Sequence, residues 1–287
     1  MTLKQLEQYY ITELRSVYDA GESQQLFYMA AERVSGISRT QAMVQAGLMI
    51  SAEQEGLYQI ILSALKEGKP LQHIFAEAWF YGLKFKVNSS VLIPRPETEE
   101  LVHWILETAS DHAIKHFLDV GTGSGCIAIT LKKKLHDAQA DALDISSHAL
   151  GVAKENAVSN EVEVNFIQSD ILGYESTARY DLIVSNPPYV TPKERLEMHQ
   201  NVLDYEPELA LFVTEDNPLI FYKSIADFGI SHLRPGGYLF FEINEYLAEE
   251  MIEMLYVKGF TDIQLRKDMQ GKDRMIRCIV PDHVMDR

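Results

Sequence analysis

Phe117-Leu118-Asp119-Val120-Gly121-Thr122-Gly123-Ser124-Gly125 reads as a buried strand, a Gly-rich turn and the start of a helix. Three glycines at alternate positions let the backbone take positive φ and approach a ligand closely. The dinucleotide pattern needs G-x-G-x-x-G. The spacing here is G-x-G-x-G, and a Gly-rich turn alone could be no more than a tight turn. Two acids downstream sharpen the reading. Asp144 ends the next apolar run, 21 residues after Gly123, where a carboxylate can accept from both hydroxyls of a ribose. Asp170, in Gln168-Ser169-Asp170, ends the one after it, where an acceptor could meet an adenine amine. Taken singly, either Asp is as readily a helix cap.

Outward from this stretch, strands and helices alternate to the end of the chain, the pattern of an α/β domain with a mainly parallel sheet. Strands are expected at His116–Val120, Ala140–Asp144, Glu163–Ile167, Asp181–Ser185, Tyr238–Ile243, Asp262–Arg266 and Met275–Val280. Helices are expected near Ser124–Leu135, Ser146–Val158, Leu219–Leu233 and Tyr246–Lys258. The last two strands follow each other without a helix, so the final one should insert antiparallel. Residues 1 to about 75 read differently, as a small helical bundle. Leu3, Leu6, Tyr10, Leu14 and Val17 form one stripe at spacings of three and four. Leu26, Met29, Ala30 and Val34 form a second, ended by Gly36, and Leu57, Ile60, Ile61, Ala64 and Leu65 a third. Ser38…Gln41 and Ser51…Gln54 fit capping boxes. This bundle carries no catalytic constellation, which suits docking. Between the two parts, Trp79–Val87 alternates around Gly82 as a β-hairpin. The prolines of Ile93-Pro94-Arg95-Pro96-Glu97-Thr98-Glu99 then fix an extended connector. Thr98 or the acid before it is placed to cap a helix around Glu99–Thr108.

The strand Asp181–Val184 runs into Asn186-Pro187-Pro188-Tyr189. Each proline lacks an N–H and pushes its predecessor toward extended geometry. Asn186 and Pro187 are thereby held in a nearly fixed shape, with carbonyl oxygens that no local helix uses. The amide of Asn186 and a neighbouring backbone carbonyl can accept both hydrogens of a planar –NH2 group, and Tyr189 can cover its flat face. Alone, the tetrapeptide could be an ordinary Pro-rich turn. In sequence with Asp119, Gly121, Gly123, Gly125, Asp144 and Asp170 it points to chemistry on such a nitrogen. No P-loop lysine is present, which disfavours a nucleoside triphosphate. An adenosyl ligand without phosphates fits best, S-adenosyl-L-methionine.

Composition narrows the field. The 287 residues carry 42 acidic and 26 basic side chains, a formal charge of −16, which argues against a broad phosphate-binding surface. Lys132-Lys133-Lys134 reads as a solvated helix face. No apolar run is long enough to span a bilayer, and Met1–Glu7 lacks the apolar core of a signal peptide. Cys126 and Cys278 give no disulfide framework or metal spacing. His112 and His116 lack the further ligands of a zinc site, so no metal is expected. A cytoplasmic protein is the expectation.

The order of these motifs resembles the class I S-adenosylmethionine-dependent methyltransferases, and more closely the peptide chain release factor N(5)-glutamine methyltransferases. Beyond the motifs above, the likeness rests on Phe80-Tyr81-Gly82-Leu83, Val91–Glu99, Tyr205-Glu206-Pro207-Glu208-Leu209-Ala210-Leu211 and Lys267-Asp268-Met269-Gln270-Gly271-Lys272-Asp273-Arg274. The resemblance implies an α/β fold: a seven-stranded, Rossmann-like class I methyltransferase domain over 96–287. A helical substrate-docking domain over 1–75 and a β-hairpin linker over 76–95 would precede it. It implies that Asp119, Gly121, Thr122, Gly123, Ser124, Gly125, Asp144, Asp170, Ile171 and Asn186 bind S-adenosyl-L-methionine, leaving S-adenosyl-L-homocysteine. Asn186, Pro187, Pro188 and Tyr189, with Arg95 and Glu97, would bind the glutamine of a Gly-Gly-Gln loop, with Asn186, Pro187 and Tyr189 serving catalysis. The partner would be a release factor, met by a monomer without direct contact to nucleic acid or membrane.

Three positions depart from the family's usual pattern. Phe75-Ala76-Glu77-Ala78 lacks a glycine, Val213–Pro218 is not Gly-rich, and Glu242-Ile243-Asn244 stands for Glu-Ile-Gly. Local loop geometry is expected to differ there. Two related activities compete, an adenine-amine DNA or RNA methyltransferase and a ribosomal-protein glutamine methyltransferase; the acidic charge disfavours the first, the Ile-Pro-Arg-Pro-Glu-Thr-Glu connector the second. A catalytically idle adenosylmethionine-binding module is a third reading, against which the intact glycines and Asn186 stand.

Overall fold

The computed structural model describes residues 1–197 and 200–281; the end of the expected catalytic domain, 282–287, lies outside them. The chain divides into two units, one of residues 1–76 and 200–205, the other of 77–197 and 206–281.

The first unit is helical: α1 (Leu3–Leu14), α2 (Ala20–Ser35), α3 (Arg39–Val44), α4 (Ala52–Lys66) and α5 (Leu71–Phe75), joined by a short helix at Gln200–Tyr205 (α9). The two expected capping boxes form, and Thr2 with Gln5 makes a third at α1. Gly36 closes α2 in the left-handed conformation. Leu3, Leu6, Tyr10 and Leu14 are buried as one stripe. The other two stripes are met in part: Leu26, Ala30 and Val34 of α2 and Ile61 and Leu65 of α4 face the core, but its centre is shifted toward aromatic neighbours. Phe27, Tyr28, Ala30 and Ala31 form the core face of α2, while Met29 is exposed. In α4, Tyr58, Ile61, Leu62 and Leu65 are buried while Leu57 and Ile60 face solvent. Aromatic rings decide the phase, since each buries more area than an aliphatic side chain. Tyr10, Phe27 and Tyr58 pack with centroids 5.4 to 6.2 Å apart, and the Tyr10 hydroxyl donates to the Tyr58 carbonyl at 2.6 Å.

The second unit opens with the hairpin β1 (Glu77–Phe80) and β2 (Leu83–Lys86). Tyr81 and Gly82 both take positive φ at its turn, the primed geometry that matches strand twist. Then come α6 (Pro96–Asp111), β3 (His116–Val120), α7 (Cys126–Lys134), β4 (Gln139–Asp144), α8 (Ser147–Ser159), β5 (Asn165–Gln168) and β6 (Tyr180–Ser185). After a short helix α10 (Glu208–Leu211), the unit ends with α11 (Ile220–His232), β7 (Leu233–Glu242), α12 (Ala248–Val257), β8 (Thr261–Lys267) and β9 (Asp273–Ile279). The expected cap of α6 is not made by Thr98 or its neighbour. Arg95 takes the cap position without a side-chain bond and Pro96 opens the helix, because a first-turn proline has no N–H to satisfy. Thr98 is used elsewhere.

The seven strands run in the order β5-β4-β3-β6-β7-β9-β8, parallel except for β9, which is antiparallel to both neighbours. Both faces are covered. Leu118, Val120, Ile183, Leu239 and Phe241 pack with α11 and α12 on one side, while Phe117, Leu182, Val184 and Phe240 pack with α6 and α7 on the other. Double burial is why these strands read as continuous apolar runs. The chain reverses its direction of winding between β3 and β6. Such a switch point opens a crevice at the carboxyl ends of the strands.

Candidate active site

The ends of β3, β4 and β6 deliver the Gly-rich turn, Asp144 and Asn186 to this crevice. Gly121, Gly123 and Gly125 have φ of 75°, 55° and 81°, in the region that disfavours a side chain. A Cβ on Gly121 or Gly123 would meet nothing within 4 Å, whereas one on Gly125 would lie 2.8 Å from Ile129 Cδ1 and 3.2 Å from Ala153 Cβ. The third glycine therefore serves the packing of α7 on α8, and the first two serve the turn. The N–H groups of Gly121 and Thr122 both reach the Leu143 carbonyl, tying the turn to β4.

Asp119 is fully buried beneath this turn. Its Oδ2 accepts from the Thr122 hydroxyl at 2.6 Å and the Ala128 N–H at 3.2 Å, and its Oδ1 has no partner. Burial, with Asp144 adding to it, pushes the carboxyl up to about 7. Asp144 accepts from the Gly123 N–H and the Ser146 N–H, each at 2.9 Å. Burial raises its pKa against those bonds. Each of its oxygens keeps acceptor capacity. Asp170 accepts from the Leu172 N–H at 2.9 Å.

These residues border a cavity of about 280 Å³. Gly121 through Ser124, Asp144, Asp170, Ile171 and the Asn186-Pro187-Pro188 run all line it, while Asp119 lies behind the turn and Gly125 inside the helix contact. Val91, Leu92 and Pro94 of the connector, with Phe221 of α11, add apolar wall.

Arg95 also reaches the cavity, but its guanidinium lies 2.5 Å from Glu206 Oε1. Glu206 is buried and accepts the Ile93 N–H through its other oxygen. This pair fixes the connector against the segment before α10. Glu97 is off the cavity wall and accepts from Gln270 Nε2 at 3.2 Å. Tyr189 is likewise turned away from the wall. Its ring packs on the core and its hydroxyl donates to Glu242 Oε1 at 3.1 Å.

Glu242, Thr98 and Asn244 are residues to which the sequence reading gave no site role. Glu242 is buried at the end of β7 and accepts from Thr98 Oγ1 at 2.7 Å through Oε2. Asn186 Nδ2 lies 3.3 Å from Thr98 Oγ1. Asn244, where a glycine is usual in the resembled family, donates from Nδ2 to the Tyr189 carbonyl at 3.1 Å and to the Glu194 carboxylate. Glu194 accepts in turn from the Thr191 N–H and hydroxyl. The departure thus builds a brace behind Tyr189. The signal for Glu242 was one acid closing the apolar run Tyr238–Phe241.

Among the described residues no group of three or more His, Cys, Asp or Glu is arranged to hold a metal ion, and no helix is long and apolar enough to cross a membrane. His116 is bonded to Asp141 at 3.0 Å, and His112 stacks edge-on against Tyr238.

The family model described as methyltransferase small domain matches residues 99–208. A release factor glutamine methyltransferase from Flavobacterium psychrophilum is 43% identical over 281 residues, covering 96% of this chain and 99% of its own. A protein of the same name from Bacteroides thetaiotaomicron is 41% identical over 277 residues, with coverage of 96% and 99%. Among solved structures, a methyltransferase from Pyrococcus furiosus superposes with a TM-score of 0.55 at 18% identity, covering 76% of this chain and 99% of that one. That likeness shows the fold.

Proposed function

The chain belongs to the release factor glutamine methyltransferases, and from that premise we propose how its residues divide the work. The methyl donor is S-adenosyl-L-methionine, and the acceptor is the side-chain nitrogen of the glutamine in a release factor's Gly-Gly-Gln motif. The observation that carries this reading is the meeting of two features in one cavity, the Gly-rich turn with Asp144 and the Asn186-Pro187-Pro188 run. The donor set fits the cofactor. Asp119 Oδ1, buried behind the turn and without a partner, puts an uncompensated acceptor there whose negative charge favours an ammonium group in the cavity. Asp144 has acceptor capacity left for a ribose diol, and Asp170 with Ile171 borders the place for an adenine. When bound, the cofactor supplies a methyl group already activated by its sulfonium.

The chain's own task is then positioning. A glutamine amide nitrogen is a poor nucleophile, because its lone pair is delocalised into the carbonyl. Asn186 Oδ1 and the Pro187 carbonyl accept its two hydrogens, which aims the nitrogen along the transfer line and holds it at near-attack distance. The same two oxygens stabilise positive charge as it develops on the nitrogen. No general base is required, since the methylated amide cation is very acidic. The first unit, which lacks catalytic groups, serves to dock the protein substrate. The enzyme works as a cytoplasmic monomer and does not touch nucleic acid.

Methyl transfer from labelled S-adenosyl-L-methionine tests this. A release factor, the same factor with its Gly-Gly-Gln glutamine changed to alanine, and duplex DNA are offered in parallel. Label on the intact factor alone is expected. Label on DNA would shift the reading to an adenine-amine methyltransferase.

A further inference from the structure

We propose that Thr98 and Glu242 are positioning residues that set which way round the Asn186 amide stands, and so make Asn186 an acceptor toward the substrate. The inference rests on the glutamine reading of the site and adds to it the groups that make Asn186 competent.

An asparagine amide is nearly symmetric in shape, and its two ends have opposite chemistry: one accepts, the other donates. A substrate –NH2 needs the accepting end. Nothing in the Asn-Pro-Pro-Tyr sequence chooses that end, and a flipped amide would present N–H to N–H. The choice is made by a chain of three groups from three elements.

It starts at Glu242, on the end of β7. An ionised carboxylate only accepts, and each of its oxygens is taken by a hydroxyl: Oε2 by Thr98 at 2.7 Å and Oε1 by Tyr189 at 3.1 Å. The carboxylate therefore commits the one proton of Thr98. With that proton engaged, Thr98 Oγ1 has only lone pairs left to offer its other neighbour. That neighbour, 3.3 Å away, must donate, and it is Asn186 Nδ2. The nitrogen end of the amide is thereby drawn toward Thr98 on α6, and Oδ1 is left for the ligand. The reverse orientation would set Oδ1 against Thr98 Oγ1, a half-buried contact between two acceptors with no proton between them, which is disfavoured.

The groups around Glu242 pull its ionisation both ways, and the two hydroxyls it accepts favour the carboxylate. Burial raises its pKa, while the Thr98 and Tyr189 hydroxyls and the charge of Arg274 on β9 act to lower it. Glu97 on α6 adds a raising influence, and the Tyr222 hydroxyl from α11 donates to the Glu242 main-chain carbonyl at 3.2 Å. Glu242 also grips the Tyr189 hydroxyl, so one carboxylate fixes both ends of the Asn186–Tyr189 run.

Thr98→Val keeps the shape of the side chain and removes the acceptor, and Thr98→Ser keeps the hydroxyl. On a release factor, Thr98→Val should lose kcat by on the order of tenfold to a hundredfold, with KM for S-adenosyl-L-methionine within about twofold of wild type. Thr98→Ser should recover most of kcat. Should Thr98→Val fail to fold, Thr98→Ala against Thr98→Ser makes the same comparison. An activity-independent readout is the side-chain amide proton pair of Asn186 in a nitrogen-15 spectrum, assigned by its loss in Asn186→Ala. It should shift in Thr98→Val and stay near its wild-type position in Thr98→Ser. Wild-type kcat in a folded Thr98→Val, with an unmoved amide pair, would overturn the proposal. If the wild type labels no release factor, the substrate reading falls, and the amide pair alone then decides the positioning claim.

Discussion

Asp119 and Asn186 have different parts in the proposed function and should fail in different ways. On the proposed mechanism Asn186→Ala removes an acceptor used as charge develops, so turnover should fall by roughly 10²-fold or more. The Kd for S-adenosyl-L-homocysteine should change much less, as calorimetry would show. Near-normal turnover in that variant would contradict the assigned role. Asp119 acts through pH. Its carboxyl is raised to about 7, chiefly by burial, so the group is protonated in the empty enzyme below neutrality. The proposed ligand ammonium favours it ionised. Binding below pH 7 must therefore expel a proton, and affinity should rise by up to about tenfold per unit as pH climbs from 5 toward 7, then level off. Asp119→Asn should flatten that profile. Stability of the ligand-free enzyme carries the opposite sign: the unfolded carboxylate loses its proton first, so stability falls between about pH 4 and 7.

At the scale of elements, the usual glycine missing before the hairpin becomes a stability question. Ala76 closes α5 in the left-handed region, at φ 54°, donating its N–H to the Gln72 carbonyl. The chain keeps a glycine's conformation and carries an alanine there, exposed, so its methyl group gains little burial. Ala76→Gly should raise stability by up to about 1 kcal/mol, read as a higher urea midpoint with an unchanged slope. A fall would show that the methyl contributes contacts worth more than the strain. What could be read from sequence follows the same physics. The strands of the central sheet announced themselves because both faces are buried, and the glycines, Asp144 and Asn186 because their chemistry lies in short motifs. Met29, Leu57 and Ile60 leave the expected stripes of α2 and α4 because Phe27 and Tyr58 outweigh them, a comparison that needs the partner helix. Thr98 looked like a helix cap because its partner, Glu242, is 144 residues away. No local pattern records such a bond.

At the scale of the whole molecule, the excess of 16 negative charges bears on how a protein substrate is met. The cavity itself is lined mostly by apolar and uncharged groups, and the reacting amide is neutral, so the bulk of this charge has no part in the transfer. Charge spread over a surface acts on encounter: it speeds the approach of an oppositely charged partner and is screened within about 8 Å at physiological salt. For a basic release factor surface, kcat/KM should then fall severalfold between about 50 and 400 mM NaCl, while kcat at saturating factor stays within about twofold. Affinity for S-adenosyl-L-homocysteine, measured across the same series, separates the two causes of such a fall. If it is unchanged, the loss lies in meeting the protein substrate. If it weakens in parallel, salt acts on the carboxylates of the cavity, and the acidic surface is not what draws the partner in. A kcat/KM that ignores salt would mean that apolar contact alone brings the release factor to the enzyme.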